Sequence, residues 1–501
     1  MRSMRWMGLG LALCAAPFAT TAARAGDVAP AVQEQLDALA RQNEELRRTV
    51  QELQSEVRAA RDDARAARDA ASSGVASTSI AGSDGPPSLP IGGGAKLQLL
   101  DLSMNILTAA GGSSATDDQL EILQGGGHDP RQRGFTLQQA EFSVLGAVDP
   151  YLTGEAHLIY FIDPEGESRF ELEEAFATSR MLPFGLHEQG LQVEVGHFFT
   201  EFGRINPQHP HQWDWMDLPV INARLFGEDG MRAPGARVGW LLPLPWFSEL
   251  HFGAQNAKGE TMQSFLQSDE AAEERPIGGR PFTEPGVRSP ADLAWLARWV
   301  NGFDLSDTWT AQLGGSFVHG PNASGRDGET YVYGGDVVVK WRPLDAERGW
   351  PFVKLQAEVT GRTYEADAFS LCFDEAECES TTLRVGDETL HDWGFYAQAL
   401  WGFRRNWAAG LRVEHANASG DDFDLDTTLE IGEASFSDPS QDPFRDDRTR
   451  LSPLLVFHPS EFSRLRLQAN YDWTQAPELD DALSIWAGVE ILFGAHSAHA
   501  Y

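Results

Sequence analysis

A regular rhythm of alternating residues and breaks constrains the fold of this chain most. Between Lys96 and Phe493, runs of about ten to sixteen residues alternate between apolar and polar side chains, and each run ends at a break. Short and long breaks alternate along the chain. The short ones include Asp149-Pro150 and Pro459-Ser460, and most of the long ones are acidic or glycine-rich. A closed antiparallel barrel with tight turns on one rim and large loops on the other produces this rhythm.

The rhythm therefore predicts an all-β fold, a sixteen-stranded antiparallel transmembrane β-barrel. Only every second residue of such a strand faces lipid, so a barrel crosses a membrane without a run of about 20 apolar residues. The last run, from Ile485 to Phe493, resembles the C-terminal strand by which outer-membrane barrels are recognised for insertion. We expect strands near 95–107, 132–148, 151–163, 168–181, 190–198, 234–242, 246–257, 290–304, 308–319, 330–342, 351–366, 389–403, 407–418, 448–458, 462–473 and 482–493.

The N-terminal segment, residues 1–25, has the pattern of a secretory signal peptide. Arg2 and Arg5 precede an apolar stretch, and Ala23-Arg24-Ala25 is a typical cleavage site. Cleavage removes three arginines and no acidic residue, so the net charge falls from −35 to −38. That charge excludes a sequence-independent binder of nucleic-acid phosphates. It also disfavours an anion-selective pore.

Residues 26–71 are predicted to form a periplasmic α-helical coiled coil, because apolar residues recur at two positions of every heptad over 28–71. Asn43 is a polar residue in this seam, a device that fixes register. The alternative is one amphipathic helix that lies on the barrel or the membrane. Residues 72–94 are a Gly/Pro/Ser linker, and 95–501 form the barrel.

The third long loop, about 199–233, combines His, Asp and Trp residues. In sixteen-stranded porins the third outer loop folds into the lumen, where side chains select by size and charge. Within it, His209, His211 and Asp214 are candidate ligands of zinc or copper. The alternative is a compact loop in which both histidines form hydrogen bonds beside Trp213 and Trp215. The candidate constriction residues are Glu201, Arg204, His209, His211, Asp214 and Asp217.

Two cysteines of the exported chain, Cys372 and Cys378, lie in one acidic loop, and we expect a disulfide rather than a metal site. The other acidic loops are solvated faces, or a negative vestibule that concentrates cations. The common nucleophile, zinc-protease and nucleotide-binding motifs do not occur, which argues against an enzyme. Glu173 and Glu174 are adjacent on a predicted strand, so we expect them on opposite faces.

The stretch from Phe135 to Trp240 resembles porins of the phosphate-selective O and P type. The resemblance lies in Val195-Gly196-His197-Phe198, in Glu201-Phe202-Gly203 and in the segment ending at Gly239. The segment Asn206–Pro219 is similar to a group of zinc-linked outer-membrane proteins of Gram-negative bacteria. This resemblance implies a trimeric sixteen-stranded porin. It does not carry phosphate selectivity over, because the lysine-rich lining that phosphate needs is missing.

The sequence thus predicts an outer-membrane porin that lets small hydrophilic solutes or ions diffuse passively and does not favour anions. Its expected partners are outer-membrane lipid and lipopolysaccharide, small solutes and two further copies of the chain, with no nucleic acid. No cofactor is required; a divalent cation, zinc or calcium, is the one candidate. The alternatives are a zinc- or copper-binding outer-membrane protein, and a structural anchor that tethers the outer membrane to the cell wall through the coiled coil.

Overall fold

The computed structural model describes the backbone of 88–91 and 95–98 and residues 101–494, apart from 165, 269–270, 273–274, 281, 284–286, 373–381, 421–441 and 476–478. The predicted signal peptide, the coiled coil and most of the linker lie outside the described residues. No helix among the described residues is long and apolar enough to cross a membrane.

Sixteen strands form one closed barrel, which confirms the predicted fold class. Each strand pairs antiparallel with its neighbour in the chain, and the last strand pairs with the first, with Gly494 opposite Ser103. The strands are β1 (Asp101–Ser113), β2 (Gly134–Ala147), β3 (Leu152–Ile162), β4 (Ser168–Ser179), β5 (Leu191–Phe199), β6 (Arg232–Leu241), β7 (Phe247–Asn256), β8 (Leu293–Asp304), β9 (Trp309–Pro321), β10 (Glu329–Trp341), β11 (Phe352–Ala366), β12 (Glu388–Arg404), β13 (Trp407–Ser419), β14 (Arg448–Ser460), β15 (Ser463–Thr474) and β16 (Ala482–Gly494).

The first strand departs from the sequence prediction of 95–107. Ala95–Gln98 pairs with Ser88–Ile91 in a separate two-stranded sheet, and the barrel strand runs on through Gly111 and Gly112. These glycines look like a break in the sequence, but the close approach of β16 requires the first of them. A Cβ on Gly111 would lie 2.0 Å from the carbonyl oxygen of Ile485 and 2.4 Å from the ring of Trp486. The strand therefore keeps glycine where two strands meet tightly.

The two rims of the barrel carry different connections. On one, the turn rim, the connections include the two-residue turn Arg405-Asn406, where Asn406 adopts a positive φ of 69°. Asparagine tolerates this left-handed conformation. On the other, the loop rim, lie loop 1 (114–133) and loop 3 (200–231), which contain the helices α1 (Asp117–Leu123) and α2 (Val220–Phe226). A short two-stranded hairpin, Phe369–Cys372 with Thr382–Val385, also belongs to this rim.

The strands present two chemically different faces. On β16 the outward side chains Leu483, Ile485 and Phe493 are about half exposed, whereas the inward side chains Trp486 and Glu490 are fully buried. An apolar outer face is what a lipid environment requires of a barrel. The inner face is polar and yet buried, so protein rather than open water fills this part of the lumen.

Candidate functional site: loop 3 inside the barrel lumen

Loop 3 leaves β5 at the loop rim and enters the lumen. Its first part crosses to the far wall, where the amide of Gly203 donates to the hydroxyl of Ser316 on β9 at 3.1 Å. The next amide, that of Arg204, donates to the carboxylate of Glu358 on β11 at 3.0 Å. Further along the loop, only 1 % of the surface of Trp215 is exposed. The structure therefore places this loop among the inner faces of the strands.

The indole of Trp215 occupies a recess in the wall. Its ring NH donates to the carbonyl of Ser452 on β14 at 2.9 Å. On the neighbouring strand, Gly410 leaves room for the ring, since a Cβ there would lie 2.9 Å from an indole carbon. Leu400, Leu454 and other apolar side chains complete a buried cluster around the indole. An aromatic side chain with both its apolar body and its NH satisfied anchors the segment.

An arginine-rich surface on β11–β16 receives the middle of the loop. The carboxylate of Asp217 forms ion pairs with Arg412 and with Arg450, the latter at 3.0 Å. It also accepts from the amides of Gln468 at 2.8 Å and Asn470 at 2.6 Å. We call this surface the arginine wall. Its ion pairs within the wall are Arg362–Asp392, Arg412–Glu414, Arg448–Asp472, Arg450–Asp472, Arg464–Glu490 and Arg466–Glu490.

The arginine wall also satisfies the backbone of the loop. Arg464 donates to the carbonyl of His211 at 2.8 Å, and Arg466 donates to the carbonyl of Trp215 at 3.0 Å. At the start of α2, the amide of Val220 donates to Glu414 at 2.7 Å. Buried backbone groups without partners are costly. These bonds are therefore what allows a non-helical segment to lie buried in the barrel.

A second polar surface, on β2–β4, receives His209 and His211. Glu141 on β2 contacts three imidazoles through their Nδ1 atoms: Oε1 lies 2.9 Å from His157 and 3.7 Å from His209, and Oε2 lies 2.8 Å from His211. The ring centroids of His157 and His209 are 4.4 Å apart. We call this group the histidine cluster. Its members are Glu141, His157, Glu173, Glu174, His209 and His211.

Glu173 and Glu174 face the lumen together, contrary to the expectation that adjacent strand residues point to opposite faces. Glu173 lies 2.6 Å from Nδ1 of His209, and Glu174 lies 2.9 Å from Nε2 of the same ring. The cause is a β-bulge: His157 pairs with Glu174 and Leu158 pairs with Leu172, which leaves Glu173 without an opposite residue. A bulge of this kind re-aims one side chain.

The two histidines of the loop have opposite electrostatic surroundings. Burial by itself would lower the pKa of His209, but the carboxylates of Glu173 and Glu141 outweigh it and hold the pKa well above its usual value. Burial lowers the pKa of His211, and Glu141 only partly offsets this. One imidazole is therefore charged and the other neutral at neutral pH.

One of the three metal ligands predicted from the sequence, Asp214, does not lie beside the two histidines. Its carboxylate forms an ion pair with Lys354 at 2.8 Å and accepts from Gln398 at 3.2 Å, on β11 and β12. The chain passes from the histidine cluster to the opposite wall between His211 and Asp214, so this carboxylate has turned away from both imidazoles. Of the three predicted ligands, the fold brings together only His209 and His211.

The other predicted constriction residues are spread around the lumen. Glu201 pairs with Arg237 on β6 at 2.7 Å. The side chain of Arg204 lines a cavity at the turn rim, and Asp217 lies on the arginine wall. All six candidates therefore lie inside the barrel, although they do not form one ring. The predicted disulfide lies outside the described residues, because Cys378 falls within 373–381.

Sequence reasoning missed Glu141 and His157. Both occupy lumen-facing positions of strands whose alternate residues, such as Phe142 and Leu158, point outward and are exposed. A charged or imidazole side chain at a lumen-facing position of an alternating strand was the feature of the sequence that could have identified them. It does not reveal which loop residue each would meet, because that depends on the path of loop 3.

Two cavities lie at opposite ends of the lumen. One, of about 830 Å³, opens at the loop rim and is lined by Glu228 and Asp229 of loop 3 together with residues of other loops. The other, of about 810 Å³, lies at the turn rim and is lined by Arg204, Lys340 and Asp304 among others. They share no lining residue. Loop 3 contributes residues to both, which places it between them.

The loop-rim cavity is strongly acidic, with ten carboxylates and three arginines in its lining. Several of these carboxylates are buried or half-buried and have raised pKa values. Burial and the nearby Asp217 raise the pKa of Asp129 to about 8, and burial and Glu228 raise that of Asp229 to about 7. Burial raises the pKa of Asp442 to about 6. The charge of this cavity therefore changes around neutral pH.

No protein-family model matches this chain. It is 28 % identical, over an alignment of 435 residues that covers 81 % of this chain and 81 % of the relative, to an uncharacterized protein of Aquifex aeolicus. Among the solved structures that align with 79 % of this chain is the outer-membrane channel DcaP of Acinetobacter baumannii, with 97 % of that chain covered, 10 % identity and a TM-score of 0.47. OprB of Pseudomonas putida is covered to 94 %, with 12 % identity and a TM-score of 0.45. An anion-selective porin from Comamonas acidovorans is covered to 99 %, with 9 % identity and a TM-score of 0.43. The expected likeness to phosphate-selective and zinc-linked proteins stays a prediction.

Proposed function

We propose that this protein is an outer-membrane porin in which loop 3 narrows the path of small hydrophilic solutes or ions. The observation that carries the proposal is the position of the loop, which is packed into the lumen between two cavities at opposite rims. A polar lumen inside an apolar outer face is the arrangement of diffusion channels. A constriction lined by charged side chains would sort solutes by size and charge.

The charge distribution supports a preference for cations or neutral solutes over anions. Carboxylates outnumber arginines in the loop-rim cavity, and a cleft of one sign concentrates ions of the other. At the turn rim the cavity is not dominated by acidic side chains, because Arg204 and Lys340 line it together with Asp304. The negative field therefore acts at one mouth, where a solute from the loop side would first meet it.

Planar-bilayer recordings test this proposal. We expect the wild type to give small single-channel currents with reversal potentials that favour cations. A variant in which a short Gly-Ser linker replaces 206–226 should conduct at least several-fold more, because it removes the segment that spans the lumen. A matched variant without 26–94 should conduct like the wild type, since the barrel strands begin at Asp101.

The outcomes separate the proposal from its alternatives. A strongly anion-selective current would contradict the charge argument. No current from either the wild type or the loop-replaced variant would favour a structural anchor, which would tether the membrane through the predicted coiled coil.

We further propose a homotrimer, held by the predicted coiled coil at 28–71 and by the barrel walls, within outer-membrane lipid and lipopolysaccharide. The heptads of that segment and the apolar outer face of the strands support it. Chemical cross-linking in detergent should give a three-chain species that a variant without 26–71 weakens. Cross-linking that never exceeds one chain would contradict the trimer.

A further inference from the structure

The carboxylate of Glu141 is the point on which three imidazoles converge. Two come from loop 3, His209 and His211, and one from β3, His157. We propose that the histidine cluster binds a divalent transition-metal cation of the zinc class, and that this cation ties loop 3 to the β2–β4 wall. This inference goes beyond the porin function, which needs no metal.

The donor atoms are already gathered within the reach of one ion. Ligand atoms of Glu141, His209 and His211 lie within 4.8 Å of one another, and so do those of His157, Glu174 and His209. Zinc binds imidazole nitrogen and carboxylate oxygen at about 2.0–2.2 Å in a tetrahedral arrangement, which places the donor atoms about 3.3–3.6 Å apart. Small side-chain adjustments are enough to close either set around an ion.

The donor chemistry selects the class of cation. Two imidazoles with a carboxylate, the donors of either set, suit zinc and its first-row neighbours, whereas calcium and magnesium take oxygen ligands. No cysteine takes part, so the set is not that of a soft, thiolate-bound ion. The expectation of calcium is therefore the weaker one at this position.

The charge balance of the cluster also favours a bound cation. Glu141, Glu173 and Glu174 are buried, and within the described ranges no lysine or arginine lies within ion-pair distance of them. Buried carboxylates on the arginine wall do have such partners; Asp392, for example, pairs with Arg362 and Arg445. A buried carboxylate is costly unless a charge or a metal compensates it. The charged imidazole of His209 supplies part of that compensation for the three carboxylates, and a dication would supply more.

A partly exposed carboxylate adjoins the cluster. Glu155 lies two residues before His157 on the same face of β3, its carboxylate is 2.9 Å from Nε2 of that ring, and its side chain is 36 % exposed. It therefore offers an incoming cation a first, solvated carboxylate. Passage along β3 would then deliver the ion to the buried donors without any opening of the barrel.

Zinc binding by the full-length protein in detergent tests the proposal. After removal of metal with a chelator, titration of zinc against a chromophoric competitor should give one tight equivalent per chain. The double variant His209→Gln/His211→Gln should bind about 100-fold more weakly or worse, since even outer partners of a metal contribute about 10- to 100-fold. The matched control His496→Gln/His499→Gln, in the C-terminal tail, should bind like the wild type.

X-ray absorption of the zinc-loaded wild type supplies a readout that does not depend on a variant folding. A first shell of nitrogen and oxygen with imidazole scattering supports the proposal, and a shell that contains sulfur or only oxygen overturns it. Equal affinity of the His209→Gln/His211→Gln variant and the wild type would also overturn it, as would loss of binding in the tail variant alone. Conductance is measured separately, so failure here leaves the porin proposal standing.

Discussion

The arginine wall and the histidine cluster hold the same loop by different chemistry. At Asp217 the partners are guanidinium groups, which keep their charge at any pH that the protein meets. At His209 they are the carboxylates of Glu173 and Glu174, and an imidazole can gain or lose a proton or bind a metal. The comparison indicates that one attachment of loop 3 is permanent and the other is conditional.

The two attachments are close together in the chain. Within nine residues, from His209 to Asp217, the loop passes from one surface to the other. Arg464 stands at the boundary, since it donates to the carbonyl of His211 and pairs with Glu490. A change at one attachment therefore need not release the other. Substitutions on each side can separate their contributions.

Asp217→Asn should have the largest effect. It keeps the shape of the side chain but leaves Arg412 and Arg450 short of one buried charge, and breaking a buried pair costs about 3–5 kcal/mol. We expect loop 3 to leave the wall, so that single-channel conductance approaches that of the loop-replaced variant and protease cuts within 206–226. The matched control is Asp307→Asn in an exposed turn, which should change neither.

The comparison itself is tested by His209→Gln in metal-free protein. If the histidine attachment is conditional, this variant should raise conductance less than Asp217→Asn does. A larger rise in the His209 variant would reverse the assignment of the permanent and the conditional attachment.

Gly410→Val should have an intermediate effect, because it fills the recess that holds Trp215. A Cβ at this position would lie 2.9 Å from the indole, and overpacking of this kind typically costs about 1–3 kcal/mol. We expect a moderate rise in conductance and a change in tryptophan fluorescence. Gly315→Val is the matched control, since no atom lies within 4 Å of its Cβ position. Equal behaviour of the two variants would show that Trp215 does not anchor the loop.

The sequence predicted the barrel well, because a period of two and a regular series of breaks are properties of each strand by itself. It also identified the segment from Glu201 to Asp217 as the loop of interest. What it could not supply is the wall partner of each loop residue. The pairing of His211 with Glu141, 70 residues away, depends on strand order and on the path of the loop.

Bulges account for a further part of what the sequence did not reveal. Strict alternation places Glu173 and Glu174 on opposite faces, and one extra residue in β4 brings both to His209. Gly111 misled the sequence prediction in a similar way, because a glycine that is required by a close contact between strands was interpreted as the end of a strand. Both features depend on contacts between strands that are distant in the chain, so local periodicity does not contain them.

The smallest expected effect is that of pH on ion selectivity, and it should come from the loop-rim cavity rather than from the arginine wall. Raised pKa values mean that Asp442, Asp229 and Asp129 bind protons more readily in the folded protein than in the unfolded chain, so they lose them in turn as pH rises through about 6, 7 and 8. Each loss adds a negative charge at the mouth. His128 does not offset this change, because burial lowers its pKa to about 4 and it stays neutral throughout. Burial alone would raise the pKa of Asp217, but Arg412 and Arg450 lower it, so that attachment stays ionised.

Cation preference, measured as the reversal potential across a salt gradient, should therefore increase between about pH 5.5 and about pH 8.5 while single-channel conductance stays near its starting value. Asp229→Asn should remove the part of the increase centred near pH 7, and Asp307→Asn should leave it intact. A change of conductance as large as that of Asp217→Asn over the same range would mean that the arginine attachment responds to pH. The distinction between a permanent and a conditional attachment would then fail, because guanidinium–carboxylate pairs have no proton to exchange in this range.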